Sequence, residues 1–368
     1  MILSRSVLAR LRRSFLARLL PLMLAVTAGL GVACASDTRP PASAFMAEAA
    51  SAAAGLQRWY EGTTYRSAQW WQSANALETT IDYMQATGSR AYLSNLDRTY
   101  RAYHQGDRFL DSYYDDDGWW ALAWIKAYDL TGDQRYLGQA RAIFEAMTDG
   151  WDSTCGGGMW WSTSRTYKNA IANELFLTVA AELHNRTPGD TRYSAWARRE
   201  WAWFSGSGML THSGLVIDGL NQCKPVLSSP TWTYNQGVLI GGLIALNGIT
   251  RDRGLLATAR RVADAVIRSP ALSPRGVLQE PCEQASSCNA DQTLFKGIFI
   301  RNLSKLDSRV DGAPYRAYLR RNASSVWDHD RRADEFGLNW SGPFDHPDTA
   351  RQAAALDALT AGIRADGV

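Results

Sequence analysis

Twelve segments of this chain return apolar residues every three or four positions, and almost none alternates them. That periodicity belongs to helices with one buried face, so the chain is constrained to an all-α fold before any motif is considered. The segments run near 42–60, 68–87, 91–110, 119–130, 134–148, 168–184, 192–204, 236–248, 254–268, 291–306, 314–327 and 348–363. Thr87-Gly88, Thr131-Gly132-Asp133 and Thr187-Pro188-Gly189-Asp190 separate successive segments with breakers and candidate N-caps. Two of these breaks share one form, YDLTGDQRYLGQA and LHNRTPGDTRYSAWA, a weak repeat of a helical hairpin. A simple bundle of a dozen helices would leave many inner faces unfilled. Six hairpins closed into a ring bury one another's apolar faces and leave a crevice at one end. The expected architecture is therefore an (α/α)6 barrel in preference to a superhelical solenoid. The longer connections, 151–166, 205–232 and 269–290, are rich in Gly, Ser and aromatics and are the expected carriers of a binding site.

The N-terminus reads differently from the rest. Arg5, Arg10, Arg12, Arg13 and Arg18 precede the apolar run Leu19–Ala33, and Ala33-Cys34-Ala35 has the A-x-A form of a cleavage site. A transmembrane helix needs about twenty apolar residues, and this run is shorter. Residues 1–35 are expected to be an export signal, and 36–368 one catalytic domain. Arg12-Arg13-Ser14-Phe15-Leu16 resembles a twin-arginine signal. Cys34 could instead carry a lipid, but Gly31 stands where such signals have an aliphatic residue. Cleavage is the favoured reading, giving a secreted protein without a membrane span. Removing the signal takes most of the excess positive charge, +3 for the whole chain, with it. No basic stripe interleaved with aromatics is evident elsewhere, so a nucleic-acid partner is not expected.

Export gives the cysteines a meaning. Cys155, Cys223, Cys282 and Cys288 remain after the signal, and an even number suggests disulfides, with three pairings open. Cys282 and Cys288 close the short loop PCEQASSC, which favours that pair and leaves Cys155 with Cys223. The spacing fits no zinc pattern, and the five histidines are scattered, so no metal is expected.

The stretch YYDDDGWWALAW, Tyr113–Trp124, sets three acids beside two tryptophans. Acids just ahead of a helix can simply complement its dipole and free N–H groups. Asp115-Asp116-Asp117-Gly118 lacks the alternate spacing of a calcium loop. The chemical reading is a carboxylate pair in which like charge keeps one member protonated as an acid while the other attacks. Glycoside hydrolysis needs such a pair.

YYDDDGWWALAW resembles the signature of family 76 glycoside hydrolases, the α-1,6-mannanases, in which two adjacent aspartates precede an aromatic pair. Cys155–Trp161 (CGGGMWW), Lys168–Asn173 (KNAIAN), Thr233–Gly237 (TYNQG) and Phe295–Gly297 (FKG) look like the family's further blocks, in order. The resemblance implies an (α/α)6 fold, agreeing with the helix count. It also implies a retaining endo-α-1,6-mannanase acting on the backbone of mannan or lipomannan, with no cofactor. Counting back from Trp119 and Trp120, the implied nucleophile is Asp115 and the acid/base Asp116, leaving Asp117 a bystander.

Aromatic faces stack on sugar rings while amides and carboxylates bind hydroxyls. Trp70, Trp71, Trp119, Trp120, Trp160, Trp161, Trp232 and Tyr234 are candidates, with one of Trp119 and Trp120, not both, facing the cleft. Asn75, Asn169, Asn173, Asn235, Gln236 and Asp218 could hold hydroxyls, whereas Lys168 and Arg301 are as readily structural ion-pair partners. The expected partner is an α-1,6-mannan chain, and the expected state a monomer. Two alternatives share the motifs: a mannan transglycosylase of cell-wall assembly, and a mannan-binding protein without catalysis.

Overall fold

The computed structural model describes residues 43–367. The export signal, with Cys34 and the arginine pair, lies outside the described residues. Twelve long helices and one short one appear: α1 (Phe45–Gln57), α2 (Trp70–Thr87), α3 (Leu93–Tyr103), α4 (Tyr114–Thr131), α5 (Gln134–Met147), α6 (Ala170–Arg186), α7 (Thr191–Gly206), α8 (Thr233–Thr250), α9 (Arg253–Arg268), the one-turn α10 (Pro281–Gln284), α11 (Phe295–Asp307), α12 (Arg316–His329) and α13 (Thr349–Ala365). Helices α2, α4, α6, α8, α11 and α13 pack side by side in that order, and α13 closes back on α2. The partners α1, α5, α7, α9 and α12 lie against this ring from outside. Helix α3 completes the outer layer, with Tyr100 edge-on to Trp124 of α4 at 5.6 Å. The expected (α/α)6 barrel is the observed fold. Among the described residues no helix is long and apolar enough to cross a membrane.

The two layers differ in the way their positions demand. An inner helix has neighbours on both sides and the barrel axis in front, so it is buried nearly all round; α13 buries every residue from Thr349 to Ile363. An outer helix buries one stripe, as α9 does with Leu255, Ala259, Val262, Ala263 and Val266. The repeated turns have one construction. Asp133 and Asp190 cap α5 and α7 by accepting the backbone N–H of Arg135 and Arg192, and Asp252 does the same for α9 through Gly254. Gly132 at the end of α4 has φ +73°, a conformation a side chain would oppose.

Tight approach of inner helices depends on glycine at two crossings. A Cβ on Gly237 of α8 would stand 2.6 Å from the Phe299 Cα of α11, and one on Gly297 of α11 would meet the Ala354 Cα of α13 at the same distance. Backbone cannot move aside as a side chain can. Gly237→Ala is accordingly expected to lower stability by about 3 kcal/mol or more, read as a fall in the urea midpoint at unchanged slope.

A network of buried ion pairs lies between the inner helices. Arg301 reaches Glu78 at 3.4 Å and Asp357 at 3.6 Å and donates to Asn75 Oδ1, while Lys126 bridges Glu78 at 2.9 Å and Asp82. Arg364 joins Asp82 at 3.1 Å. Arg301 is thus structural, and so is Asn75: its amide is spent on Arg301 and on the Trp71 carbonyl. Both disulfides follow the favoured pairing, Cys155–Cys223 and Cys282–Cys288. Short strands interrupt the helices: β1 (Lys168–Asn169), β2 (Gly219–Asn221) and β3 (Lys224–Pro225) form an antiparallel sheet in that order, and β4 (Arg331–Arg332) pairs with β5 (Glu335–Phe336).

Candidate active site

The N-terminal ends of the inner helices surround a cleft of about 470 Å³. Its lining comes from α2 (Trp71, with Gln69 before it), α4 (Asp115, Asp116 and Trp119), the cap of α6 (Asn169), α8 (Tyr234, with Trp232 before it) and α11 (Phe295). The connections add Tyr113, Trp161, Tyr167, Asp218, Asn289, Asp291 and Gln292. Each of the three long connections singled out in the sequence contributes at least one of these residues. Helix N-termini carry free N–H groups and the positive end of the dipole, so this end of the barrel favours negative charge.

The acids do not precede α4 as the sequence suggested. The helix begins at Tyr114, and Asp115, Asp116 and Asp117 make up its first turn. Successive residues there splay by about 100°, which separates their surroundings. Asp115 and Asp116 face the cleft. Asp117 turns inward, is 2% exposed, and its Oδ1 accepts the backbone N–H of Asp111 at 2.8 Å. Asp117 is therefore a structural cap for the loop ahead of α4.

Among the described residues no Lys, Arg or His lines the cleft, while four carboxylates do: Asp115, Asp116, Asp218 and Asp291. Burial is the main force raising the proton affinity of the first three. It lifts Asp115 to about 7, opposed by the Trp161 indole, which donates to Asp115 Oδ2 at 3.1 Å. Burial and then the neighbouring charge of Asp115 lift Asp116 to about 9. Asp218 is raised by burial against two donors, the Tyr167 hydroxyl at 2.9 Å and the Asn235 amide at 3.3 Å. Asp291 accepts the Trp71 indole N–H at 3.0 Å from across the cleft. The arrangement offers two adjacent carboxylates of unequal proton affinity inside an aromatic wall, in which Tyr234 stacks on Phe295 at 3.8 Å and Trp71 on Trp119 at 5.8 Å.

Residues 45–366 match the family model described as Glycosyl hydrolase family 76. The chain belongs to that family. Among family relatives, the mannan endo-1,6-alpha-mannosidase DCW1 of Candida albicans is 30% identical over 288 residues, 68% of this chain and 63% of the relative. A putative mannan endo-1,6-alpha-mannosidase of Schizosaccharomyces pombe is 29% identical over 68% of this chain and 61% of its own. The chain thus spans less than two thirds of the length of these relatives. Among solved structures, the GH76A alpha-1,6-mannanase of Salegentibacter sp. HEL1_6 superposes with a TM-score of 0.79 at 24% identity, covering 87% of this chain and 99% of that one. An inactive variant of that enzyme, with two adjacent aspartates replaced by alanine, is solved in complex with alpha-1,6-mannotetrose.

In this family 76 chain the expected site residues divide into two groups. Asp115, Asp116, Trp119, Asn169, Asp218 and Tyr234 line the cleft, as do Trp71, Trp161 and Trp232. Trp120, Asn75, Asn173 and Gln236 do not. Trp120 is fully buried on the far side of α4 against Trp70, Phe109 and Trp124, so of the adjacent pair only Trp119 faces the cleft. Asn173 clamps the backbone of Met159 through both its N–H and carbonyl and also bonds the Asn169 carbonyl. Gln236 likewise spans Val216 N–H and carbonyl, while also holding Trp232 O. Their amides build the loops of the site. Lys168 is structural too, enclosed by backbone carbonyls of the glycine loop. The sequence reading missed Gln69, Tyr113, Tyr167, Asn289, Asp291, Gln292 and Phe295. Asp291 had a signal, an acid opening a helix directly after a site-bearing connection, and Phe295 opened one of the quoted family blocks.

Proposed function

We propose that this protein is an endo-acting α-1,6-mannanase that cleaves with retention of configuration. One observation carries the reading: adjacent carboxylates of unequal proton affinity, Asp115 and Asp116, face a cleft walled by aromatics and free of lining cations among the described residues. Ionised Asp115 attacks the anomeric carbon of a bound mannosyl unit. The bond from that carbon to the glycosidic oxygen breaks with its electron pair going to oxygen, and Asp116 supplies that oxygen with a proton. Asp116, now ionised, takes a proton from water, whose oxygen displaces the Asp115 ester and regenerates both groups. Asn169 and Asp218 are the hydroxyl partners and Trp119 and Tyr234 the stacking faces. The relatives support the substrate: one solved neighbour holds alpha-1,6-mannotetrose in a variant made inactive at its two adjacent aspartates.

Two outcomes follow. Incubated with debranched α-1,6-mannan, the protein is expected to release a ladder of short oligosaccharides whose first-formed reducing ends are α anomers. Mannose as the sole product would exclude endo action, and initial β anomers would exclude retention. The pH profile of kcat/KM is expected to be a bell. Its acid limb falls near 7, where Asp115 becomes ionised and competent, and its basic limb near 9, where Asp116 loses the proton it donates. A second reading is transfer to a sugar hydroxyl, which the same carboxylate pair would serve with an acceptor hydroxyl in the place of water. Added α-mannoside acceptors separate the two, since a transglycosylase elongates them in place of releasing new reducing ends.

A further inference from the structure

Asp115 and Asp116 are adjacent, alike and turned to the same cleft, so something must assign their different roles. Among the described residues their side-chain hydrogen-bond donors differ by one. The Trp161 indole Nε1–H meets Asp115 Oδ2 at 3.1 Å, whereas among the described residues no side chain donates to Asp116. The backbone that carries Trp161 is tied down. Its carbonyl accepts the backbone N–H of Tyr114, the first residue of α4, at 2.9 Å, and its own N–H donates to the Tyr167 carbonyl at 2.8 Å. Thr163 N–H reaches the Ser112 carbonyl at 2.9 Å. The arm carrying Trp161 is therefore stitched to the start of the helix that carries the acids, and the ring leans on Tyr113 at 4.8 Å.

We propose that Trp161 is a positioning residue that makes Asp115, and not Asp116, the attacking carboxylate by pinning Oδ2 and stabilising its ionised form. This rests on the mannanase reading above. A donor to a carboxylate is strongest when the carboxylate is charged, so it selects the ionised state and fixes the rotamer at once. Backbone N–H groups of the helix start, those of Asp115 and Asp116, act in the same direction. Burial is the largest influence opposing ionisation, and neighbouring acids add to it: Asp116 and Asp117 on the same helix and Asp291 ahead of α11, with Asp218 beside β2 and the phenols of Tyr167 and Tyr234 also lining the cleft. With no cation among the described residues that line the cleft, the indole is the principal side-chain group favouring ionised Asp115. The competing explanation is that Trp161, 37% exposed beside Tyr113 at 39%, serves only as a platform for a sugar ring.

Trp161→Phe keeps an aromatic face and removes the N–H. A hydrogen bond to a charged group is worth a factor of roughly 10 to 100, so kcat on α-1,6-mannan is expected to fall by that factor while KM stays within about threefold. The acid limb of the pH profile moves to higher pH, because losing the donor raises Asp115. Titration of the Asp115 carboxyl by ¹³C NMR, in wild type and Trp161→Phe, should show the same upward move without any reference to turnover. Tyr113→Phe keeps the ring on which Trp161 leans and makes no change to the bond to Asp115, and should leave the limb in place. A raised KM in Trp161→Phe, with limb and carboxyl titration unmoved, would overturn the proposal in favour of the platform. Wild-type protein inactive on α-1,6-mannan would instead remove the mannanase reading, and the carboxyl titration would still report on Trp161.

Discussion

Asp116→Asn is expected to abolish mannan cleavage and at the same time make the protein more stable. The loss of activity follows from the chemistry, since an amide has no proton to give the departing oxygen. Asp115→Ala removes the attacking atom, and for either change a fall of at least about a thousandfold in kcat is expected on an unactivated mannan. The gain in stability follows from linkage. Burial and the charge of Asp115 raise Asp116 far above an ordinary carboxyl. A raised folded-state value means that its favourable contribution is whole only below the ordinary value and is lost as pH climbs through about 9. Wild type therefore carries a penalty at neutral pH that asparagine does not. The melting temperature of Asp116→Asn should exceed that of wild type at pH 7, and the gap should shrink toward pH 4. Asp117 provides the contrast. Asparagine there still accepts the Asp111 N–H, so Asp117→Asn should retain most of the activity, whereas alanine orphans that buried donor at about 1–3 kcal/mol. An active Asp116→Asn would sink the assignment, and an inactive but well-folded Asp117→Asn would show that the third acid takes part.

Lys168→Met should be strongly damaging although Lys168 lies outside the cleft. The Lys168 ammonium is buried and donates to the carbonyls of Thr154, Gly157 and Gly158 at 2.7–2.8 Å and to Asp152 Oδ1 at 2.9 Å. It also lies over the Trp160 ring at 4.7 Å. This one cation organises the CGGGMWW loop, whose carbonyls converge because glycines at 156, 157 and 158 hold positive φ. Substituting a thioether leaves three carbonyls, two of them buried, without this donor and Asp152 without its partner. Removing one member of such a set costs about 3–5 kcal/mol, to be measured as a shift in the urea midpoint. The loss should also reach catalysis, because the same loop continues into the arm that holds Trp161 over Asp115. Lys168→Arg should not rescue, since a planar guanidinium cannot turn its donors toward four acceptors arranged around a point charge. Activity and stability both within error of wild type would show that the loop is held by its disulfide and tryptophans alone.

The division between legible and hidden features follows the range of the forces involved. Helix periodicity, Thr-Gly-Asp breaks and the short Cys282–Cys288 loop act over a few residues, and all three are realised, with helix ends shifted by a few residues. The start of α4 was misplaced because three acids and a glycine look like a connection. They are helical because the free N–H groups of a first turn accommodate carboxylates. Asn173 and Gln236 looked like sugar ligands because an amide side chain is written the same way whether it meets a hydroxyl or a backbone. Only the fold brings Met159 to one and Val216 to the other, and buried backbone groups take precedence.

The ring of inner helices followed from the period of apolar residues and the aromatic character of the cleft from residue type, while the choice of Asp115 and Asp116 as the pair came with the resemblance of their motif to family 76. Tertiary structure decided which acid of the triplet turns inward, which of two adjacent tryptophans faces the cleft, and that Asp291 stands opposite Asp115. It also decided that the Trp161 indole, on an arm well downstream in the chain, meets one carboxylate and not its neighbour. Those outcomes depend on separations of a few ångströms between segments far apart in the chain, and only the closed barrel sets them.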